Sequence, residues 1–566
     1  MASNGTVRYL ASGRVNSGLP VVQNELKWLS RTEKQGYTRS TMQQSLSLLI
    51  LACSFVLASA VASAQHPRDG EIHDPDTKAW WHTTEDLSND GMEGRDTGSA
   101  AYQRAADYVA QRFKKAGLQP AGENGGYFQT VPMHEVAVEP SGTSIALVRN
   151  GAPELRIKFL YEATVTPASN LPAHTEAALT FRGYCGKDAM GGVEGKIVVC
   201  FGARRAGLPT GAEREANARA RHALGIVSVD DPYFTIEPPR WPSAYARTVQ
   251  IGPEPEHVEI GTGLLAIRLS AVVFPKLIEG TGQDAAAILK AGGNKEPLAS
   301  FDLPAKLRVV LHVTRRAYSS PNVLGILPGS DEELKDEYLV LSAHLDGYGY
   351  GTPVNGDNLY NGALDDAAYV ALLIQFADDI KRNHRTFKRS IIFCVFTGEE
   401  KGLLGGTYFA THPTVRAGQL AADVNLDQLR PLFPLKILTA PALDDTTLGQ
   451  LASEAAREYG IELRPDREPD RHLVQRADNY PFLRIGVPAI GFIFGYDPGT
   501  DAEERYREWY RVRYHKPQDD LTQPIDFDAA TKFNSFFYTL AGLIADTPQR
   551  PGFRPGSPLA PSKAPD

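Results

Sequence analysis

Cysteine is scarce, with four in 566 residues. That excludes a disulfide-dense scaffold and any zinc cluster built from thiolates. An excess of positive charge is also missing. The 59 Lys and Arg against 67 Asp and Glu leave a net charge of −8, whereas a nucleic-acid binder shows basic patches and a high isoelectric point. Long apolar runs are absent but for one, and the mean hydropathy of −0.28 excludes a polytopic membrane protein. Apolar mass is not lacking. The chain is 42% hydrophobic, with 23 Phe, 23 Tyr and 5 Trp, enough to exclude disorder of the whole. Its length sets a prior of roughly three to four domains.

The single apolar run lies in a stretch without charge from Ser40 to Pro67. Leu46 to Leu57 form its centre, Lys34 and Arg39 precede it, and Ala62-Ser63-Ala64 ends it in the small-x-small pattern of a signal-peptidase site. We expect residues 1–64 to be a leader, started at Met1 or Met42, and the mature chain to begin near Gln65 outside the cytoplasm. The alternative is an uncleaved membrane anchor, since about twenty apolar residues span a bilayer. No membrane span is expected in the mature chain. Export would pair Cys185 with Cys200 and leave Cys394, mid-strand, a buried thiol. Two unpaired buried cysteines are the competing state.

Residues 78–118 read as helix, with Ala101, Ala105, Val109 and Phe113 at helical spacing and Gly117 as the stop. From about 136 to 300 the pattern changes to short β-like runs, such as Ser144 to Val148 and Lys196 to Cys200, with one helical patch from Glu213 to Leu224. This is a mainly β module inserted between an N-terminal segment (65–135) and the remainder of the main domain (301–548). There strands and helices alternate: strands at Tyr338–Ala343, Ile391–Phe396, Asp423–Leu426 and Pro488–Ile493, and a helix from Ala367 to Ile380. Continuous apolar strands between helices indicate an α/β sheet covered on both faces. The Pro-rich tail, 549–566, is neither helix nor central strand.

The polar residues that end these strands carry the chemistry. The first strand runs into His344-Leu345-Asp346, Asp365-Asp366 opens the helix, and Thr397-Gly398-Glu399-Glu400 ends the second strand. Asp427 ends the third, and His515 follows. Ligands of open α/β sheets bind at the carboxyl ends of strands. Two histidines and surplus carboxylates without a usable cysteine suit zinc. So many carboxylates in one cleft repel each other unless cations neutralise them, which favours two ions over one. Singly each piece is weak: Asp-Asp before a helix is usually a cap, and Glu-Glu after a strand is usually solvated loop.

Ser342-Ala343-His344-Leu345-Asp346, Asn361 to Asp366, Thr397 to Gly405, Asn425-Leu426-Asp427 and Tyr514-His515 with Asp519-Asp520 together resemble the co-catalytic zinc aminopeptidases. That family takes in aminopeptidase Y, bacterial leucyl aminopeptidases and glutamate carboxypeptidase, and the likeness spans roughly residues 85–545. It implies a three-layer α/β zinc-exopeptidase domain with a mixed central sheet, two zinc ions and a peptide substrate. It assigns His344 and Asp427 to one ion, Glu400 and His515 to the other, and Asp365 as the bridge. Glu399 becomes the general base, Asp346 the residue that orients His344, and Asp365-Asp366 a cis peptide. Val193 to Val199 and Ala216 to Val227 resemble a protease-associated (PA) domain, and Leu87 to Ser99 the opening segment of bacterial members. Asn479 stands where many relatives carry His, and Gln428 where Met is frequent.

The resemblance implies removal of N-terminal residues from peptides by an exported enzyme. A carboxypeptidase of the same fold would need a cationic clamp, with Arg471, Arg476 and Arg484 as candidates. A single-zinc transferase resembling glutaminyl cyclase and a non-catalytic receptor ectodomain are further alternatives. Phe482, Phe492, Tyr496 and Tyr514 are candidates for a side-chain pocket or simply for the core.

Overall fold

The structure is a computed structural model that describes residues 66–253, 259–427 and 429–561. The expected leader and its cleavage signal lie outside the described residues, as does Gln428. The chain divides at Gly70, and the following account concerns the unit from Glu71 onward.

The main sheet has eight strands. In chain order they are β1 (Gln119–Pro120), β2 (Phe128–Val138), β3 (Arg247–Ile251), β4 (Val313–Leu327), β5 (Tyr338–His344), β6 (Ser390–Phe396), β7 (Leu420–Asn425) and β8 (Ala489–Gly491). Their spatial order is β8-β7-β5-β6-β4-β2-β3, with β1 paired to β4. β5 runs parallel to β6 and β7, and β7 parallel to β8, whereas β4 is antiparallel to β6 and β2. The sheet is therefore mixed, as expected.

Alternation along β5 and β6 explains the layers. Leu339, Leu341, Ile391, Phe393 and Val395 face a core shared with the helices Pro75–Ser88, Ala100–Ala116, Ala368–Arg382 and Phe527–Asp546. Val340, Ile392, Cys394 and Phe396 face the opposite core, with Phe409 and Phe482. Strands covered on both faces must be apolar throughout, and each such side chain contributes about 1.5–3 kcal/mol on burial. Cys394 is a buried free thiol, its pKa raised by burial.

Residues 78–118 are not one helix. Pro75–Ser88 and Ala100–Ala116 are separated by a tight turn in which Glu93 and Gly94 adopt positive φ. Gly94 is required there, because a Cβ would stand 2.3 Å from the Tyr360 carbonyl oxygen. Gly117, at φ 89°, closes the second helix as expected. The expected strand Pro488–Ile493 also divides. Its first part is β8, and Ile493–Gly495 leaves the sheet to pair with Ile437–Thr439.

Residues 144–310 build a second eight-stranded sheet with its own core around Phe181, Val199, Leu265 and Leu307. Its strand Ser300–Val310 pairs with His174–Arg182 and Ser144–Val148, so this sheet continues ten residues past the boundary at 300. Cys185 and Cys200 are disulfide-bonded within it. One piece of this excursion returns: β3 adds to the main sheet along β2, so the segment before it, 230–246, lies close to the strand ends. The proline-rich segment is docked without helix or strand, with Phe553 and Leu559 against the main-sheet core of Val340, Ile392 and Phe396 and Arg550 donating to the Leu420 carbonyl.

Candidate metal centre

The carboxyl ends of the parallel strands β5, β6 and β7 open on one side, and each delivers part of the centre. β5 ends in His344, β6 leads into Glu399 and Glu400, and β7 leads into Asp427. The turn before the helix Ala368–Arg382 supplies Asp365 and Asp366, joined by a cis peptide bond as the family resemblance implies.

Two donor groups form. Donor atoms of Asp365, Glu400 and His515 lie within 4.8 Å of one another, and so do those of His344, Asp366 and Asp427. Asp365 faces both groups. Its Oδ1 is 3.5 Å from His344 Nε2, and its Oδ2 is 3.2 Å from His515 Nε2. Glu400 Oε2 is 3.4 Å from His515 Nε2. Glu399 points the other way, 3.8 Å from His344 Nε2, and belongs to neither group. His515 holds a left-handed backbone, φ 54°, which costs a non-glycine residue about 1–2 kcal/mol.

The sequence placed Asp366 in the turn that opens the helix but gave it no ligand role. One of its oxygens accepts the His344 N–H at 3.2 Å, and the other has no hydrogen-bond partner. Nor do His344 Nε2 and Asp365 Oδ2. Buried, orphaned nitrogen and oxygen donors converging from two histidines and several carboxylates are what a zinc site requires. The donor set fits the metal.

Electrostatics agree. Burial raises the pKa of Glu399, opposed by His344 and reinforced by Asp427 and Glu400. Burial and Asp365 raise Glu400 to about 8. Burial also raises Asp366, with Asp427 and Asp365 adding to it. Asp365 is the exception. Burial would raise it, but Arg430 and the two histidines hold it well below the carboxylate range. Burial disfavours charge on His344, yet Glu399 and Asp366 raise its pKa. His515 is lowered to about 3, by burial and then by Arg240. Cations are needed to keep these carboxylates ionised together.

Asp346 stands beside His344, but its backbone carbonyl, not its carboxylate, is the hydrogen-bond partner of His344 Nδ1, at 3.1 Å. The carboxylate, 3.8 Å away, accepts from Thr97 Oγ1 at 2.8 Å and from the Glu399 N–H at 3.0 Å. It thus ties Glu399 to the His344 loop. Tyr348 takes the orienting place at the second histidine, its hydroxyl 2.5 Å from His515 Nδ1.

Three further residues support the centre in roles the sequence did not assign. Arg95, fully buried, donates to the carbonyls of Leu345, Leu87, Asn361 and Gly362 at 2.7–2.8 Å, so one guanidinium fastens the loops that carry His344 and Asp365. Asp519 accepts the N–H groups of Leu364 and Asp365, each at 3.0 Å. Arg430 lies 3.6 Å from Asp365 Oδ2. Arg95 and Asp519 lie within recognised segments that gave them no role, and Arg430 had only its proximity to Asp427 as a signal.

The aromatic candidates divide. Phe482 and Phe492 are core, Tyr496 is half-buried, and Tyr514 packs against His515 with ring centroids 3.9 Å apart. Asn479 is buried one residue from Asp478, whose carboxyl is also buried and without a hydrogen bond.

Residues 322–541 match the model of peptidase family M28. Among curated relatives, a probable zinc metalloprotease of Pyrenophora tritici-repentis (strain Pt-1C-BFP) is 26% identical over 259 residues, covering 40% of this chain and 58% of that protein. Aminopeptidase NAALADL1 of Mus musculus is 31% identical over 124 residues, 21% of this chain and 15% of its own length. The chain thus spans less than two thirds of these relatives. The fold is shared more widely. An aminopeptidase from Aneurinibacillus sp. strain AM-1 superimposes with a TM-score of 0.56 at 17% identity, covering 84% of this chain and 95% of that one. A zinc aminopeptidase from Bacillus subtilis does so at 0.53 and 17%, covering 86% and 98%. The M28 match contains every strand that ends in a donor, and the wider likeness takes in the second sheet.

Proposed function

We propose that this protein is an exported zinc aminopeptidase with two metal ions, His344 and Asp427 at one, Glu400 and His515 at the other, and Asp365 between them. The observation that carries the reading is the division of Glu399 from Glu400: adjacent residues, one inside a donor group and one outside both, beside His344. A peptidase needs one carboxylate on the metal and another free to move a proton.

Zinc, when bound, lowers the pKa of a coordinated water and polarises the scissile carbonyl. Glu399 takes the proton of the attacking water and returns it to the leaving amine. Its N–H is fixed by Asp346, and its burial beside Asp427 and Glu400 favours the protonated form between the two transfers. Surplus carboxylate around the centre attracts the substrate's free ammonium group.

Two of the three candidates for a carboxypeptidase clamp are already engaged, which favours the aminopeptidase reading. Arg471 is engaged by Glu468 at 3.3 Å and Tyr506 at 3.0 Å, and Arg476 by Glu237 and Tyr514. Arg484 is exposed at the end of the helix Asn479–Arg484. The receptor alternative would discard donors, yet the five expected donors all lie within the two donor groups. We assign residues 65–135 and 301–548 to the catalytic domain and read the inserted module as a PA domain. Its disulfide supports an oxidising compartment. No helix among the described residues is long and apolar enough to cross a membrane.

A panel of aminoacyl-p-nitroanilides with free and blocked amino termini tests the reading. Zinc-dependent release from free substrates alone is the expected result. Release from blocked substrates, or from none, refutes it.

A further inference from the structure

Arg430 is a fully buried cation in contact with a metal donor, and nothing in the recognised motifs accounts for it. It follows Asp427 by three residues on the loop after β7. Its Nη1 donates to the carbonyls of Leu364 and Leu429, and its guanidinium lies 4.4 Å from the Trp509 ring centroid. Tyr514 flanks it at 5.7 Å. Carbonyls and aromatic faces on several sides leave it no room to swing away. Its Nη2 and Nε make no hydrogen bond, and Nη2 is 3.6 Å from Asp365 Oδ2.

The choice of oxygen matters. Asp365 presents Oδ1 to His344 and Oδ2 to His515. The fixed positive charge therefore sits against the oxygen on the His515 side. A second cation, Arg240, stacks on Tyr514 at 4.6 Å from its centroid, and Tyr514 packs on His515. The other donor group, His344, Asp366 and Asp427, lies beside Glu399.

We infer that Arg430 is a positioning residue that shares Asp365 Oδ2 with a metal ion held by Glu400 and His515, and so weakens that ion's binding relative to the ion at His344 and Asp427. The inference rests on the two-ion reading above. Like charges a few ångströms apart in a site excluded from water repel strongly, and the carboxylate oxygen they share can donate fully to only one of them. A less generous Asp365 also leaves the ion more electrophilic toward a carbonyl.

The test is metal titration of the full chain after chelation, with Zn2+ followed by calorimetry and elemental analysis, and Co2+ followed by its visible absorption. Wild type should take up two ions, the second about tenfold or more weaker than the first, and His515→Ala should abolish the weaker step. Arg430→Met should tighten the weaker step about tenfold, Arg430→Gln should do the same while keeping a donor for the Leu364 carbonyl, and Arg430→Lys should restore the wild-type difference. A damaged fold loosens metal, so tightening separates this role from a structural one, and Arg430→Gln decides the matter if Arg430→Met does not fold. Two ions whose constants are unmoved or weakened in the folded Met or Gln variant overturn this inference alone. A wild-type protein that takes up a single ion overturns the two-ion reading and this inference with it.

Discussion

Arg95→Lys keeps the charge and removes the fork. In the native chain four charge-assisted hydrogen bonds of 2.7–2.8 Å leave one guanidinium for carbonyls on three separate segments. Each such bond is worth about 1.5–3 kcal/mol when its acceptor is otherwise buried and dry. An ammonium is one point with three donors, and its shorter reach serves about two of the four carbonyls. Two lost bonds amount to about 3–6 kcal/mol, against a total stability of about 5–15 kcal/mol for a native domain. Burial already lowers the Arg95 pKa to about 10, so the fold tolerates this cation only because its donors are satisfied. The Leu345 and Gly362 carbonyls adjoin His344 and the Asp365 turn, so zinc content should fall with stability. Urea unfolding of zinc-loaded and chelated protein, with elemental analysis, reads both. A Lys variant within about 1 kcal/mol of wild type and fully loaded with zinc would refute the argument that Arg95 joins the two ligand loops.

Glu399→Gln should lower kcat by roughly 10²–10⁴ with KM and zinc content little changed, the usual signature of a lost general base. Glu400→Gln and His515→Ala should instead release metal and regain activity in part with added zinc, and the opposite pattern would exchange the roles of Glu399 and Glu400. Glu237 is held down to about 2 against burial by Arg476, Arg240 and Arg471. Its folded pKa is depressed, so its contribution, about 3 kcal/mol at neutral pH, is fully present above about 4.5 and lost as pH falls toward about 2. Acid unfolding of Glu237→Gln should lack this component, and superimposable profiles would count against it. Reducing the Cys185–Cys200 bond, which closes a loop of 15 residues, should cost about 3 kcal/mol. Thermal scans with and without reductant that coincide would show that the bond does not stabilise the fold.

The sequence by itself determined what is local. Continuous apolar runs marked β5, β6 and β7, because a strand buried on both faces has no polar side to show. A polar group ending such a run is conspicuous, and in this way His344, Glu399, Glu400 and Asp427 were legible. Asp365 was legible as part of the turn that opens a helix, and the pairing of Cys185 with Cys200 was within reach because both lie in one short module. Tertiary structure decided what depends on distant segments meeting. Arg95 matters because its side chain reaches carbonyls more than 200 residues away, Asp519 because it caps the Asp365 turn, and Arg430 because Trp509 and Tyr514 fix it against one oxygen. The expected helix over 78–118 broke because Gly94 must pass the Tyr360 backbone, and the strand expected at 488–493 divided because Ile493–Gly495 found another partner. Periodicity reports which side of an element is buried. What that side is buried against, and at which atom a charge comes to rest, is settled only by packing.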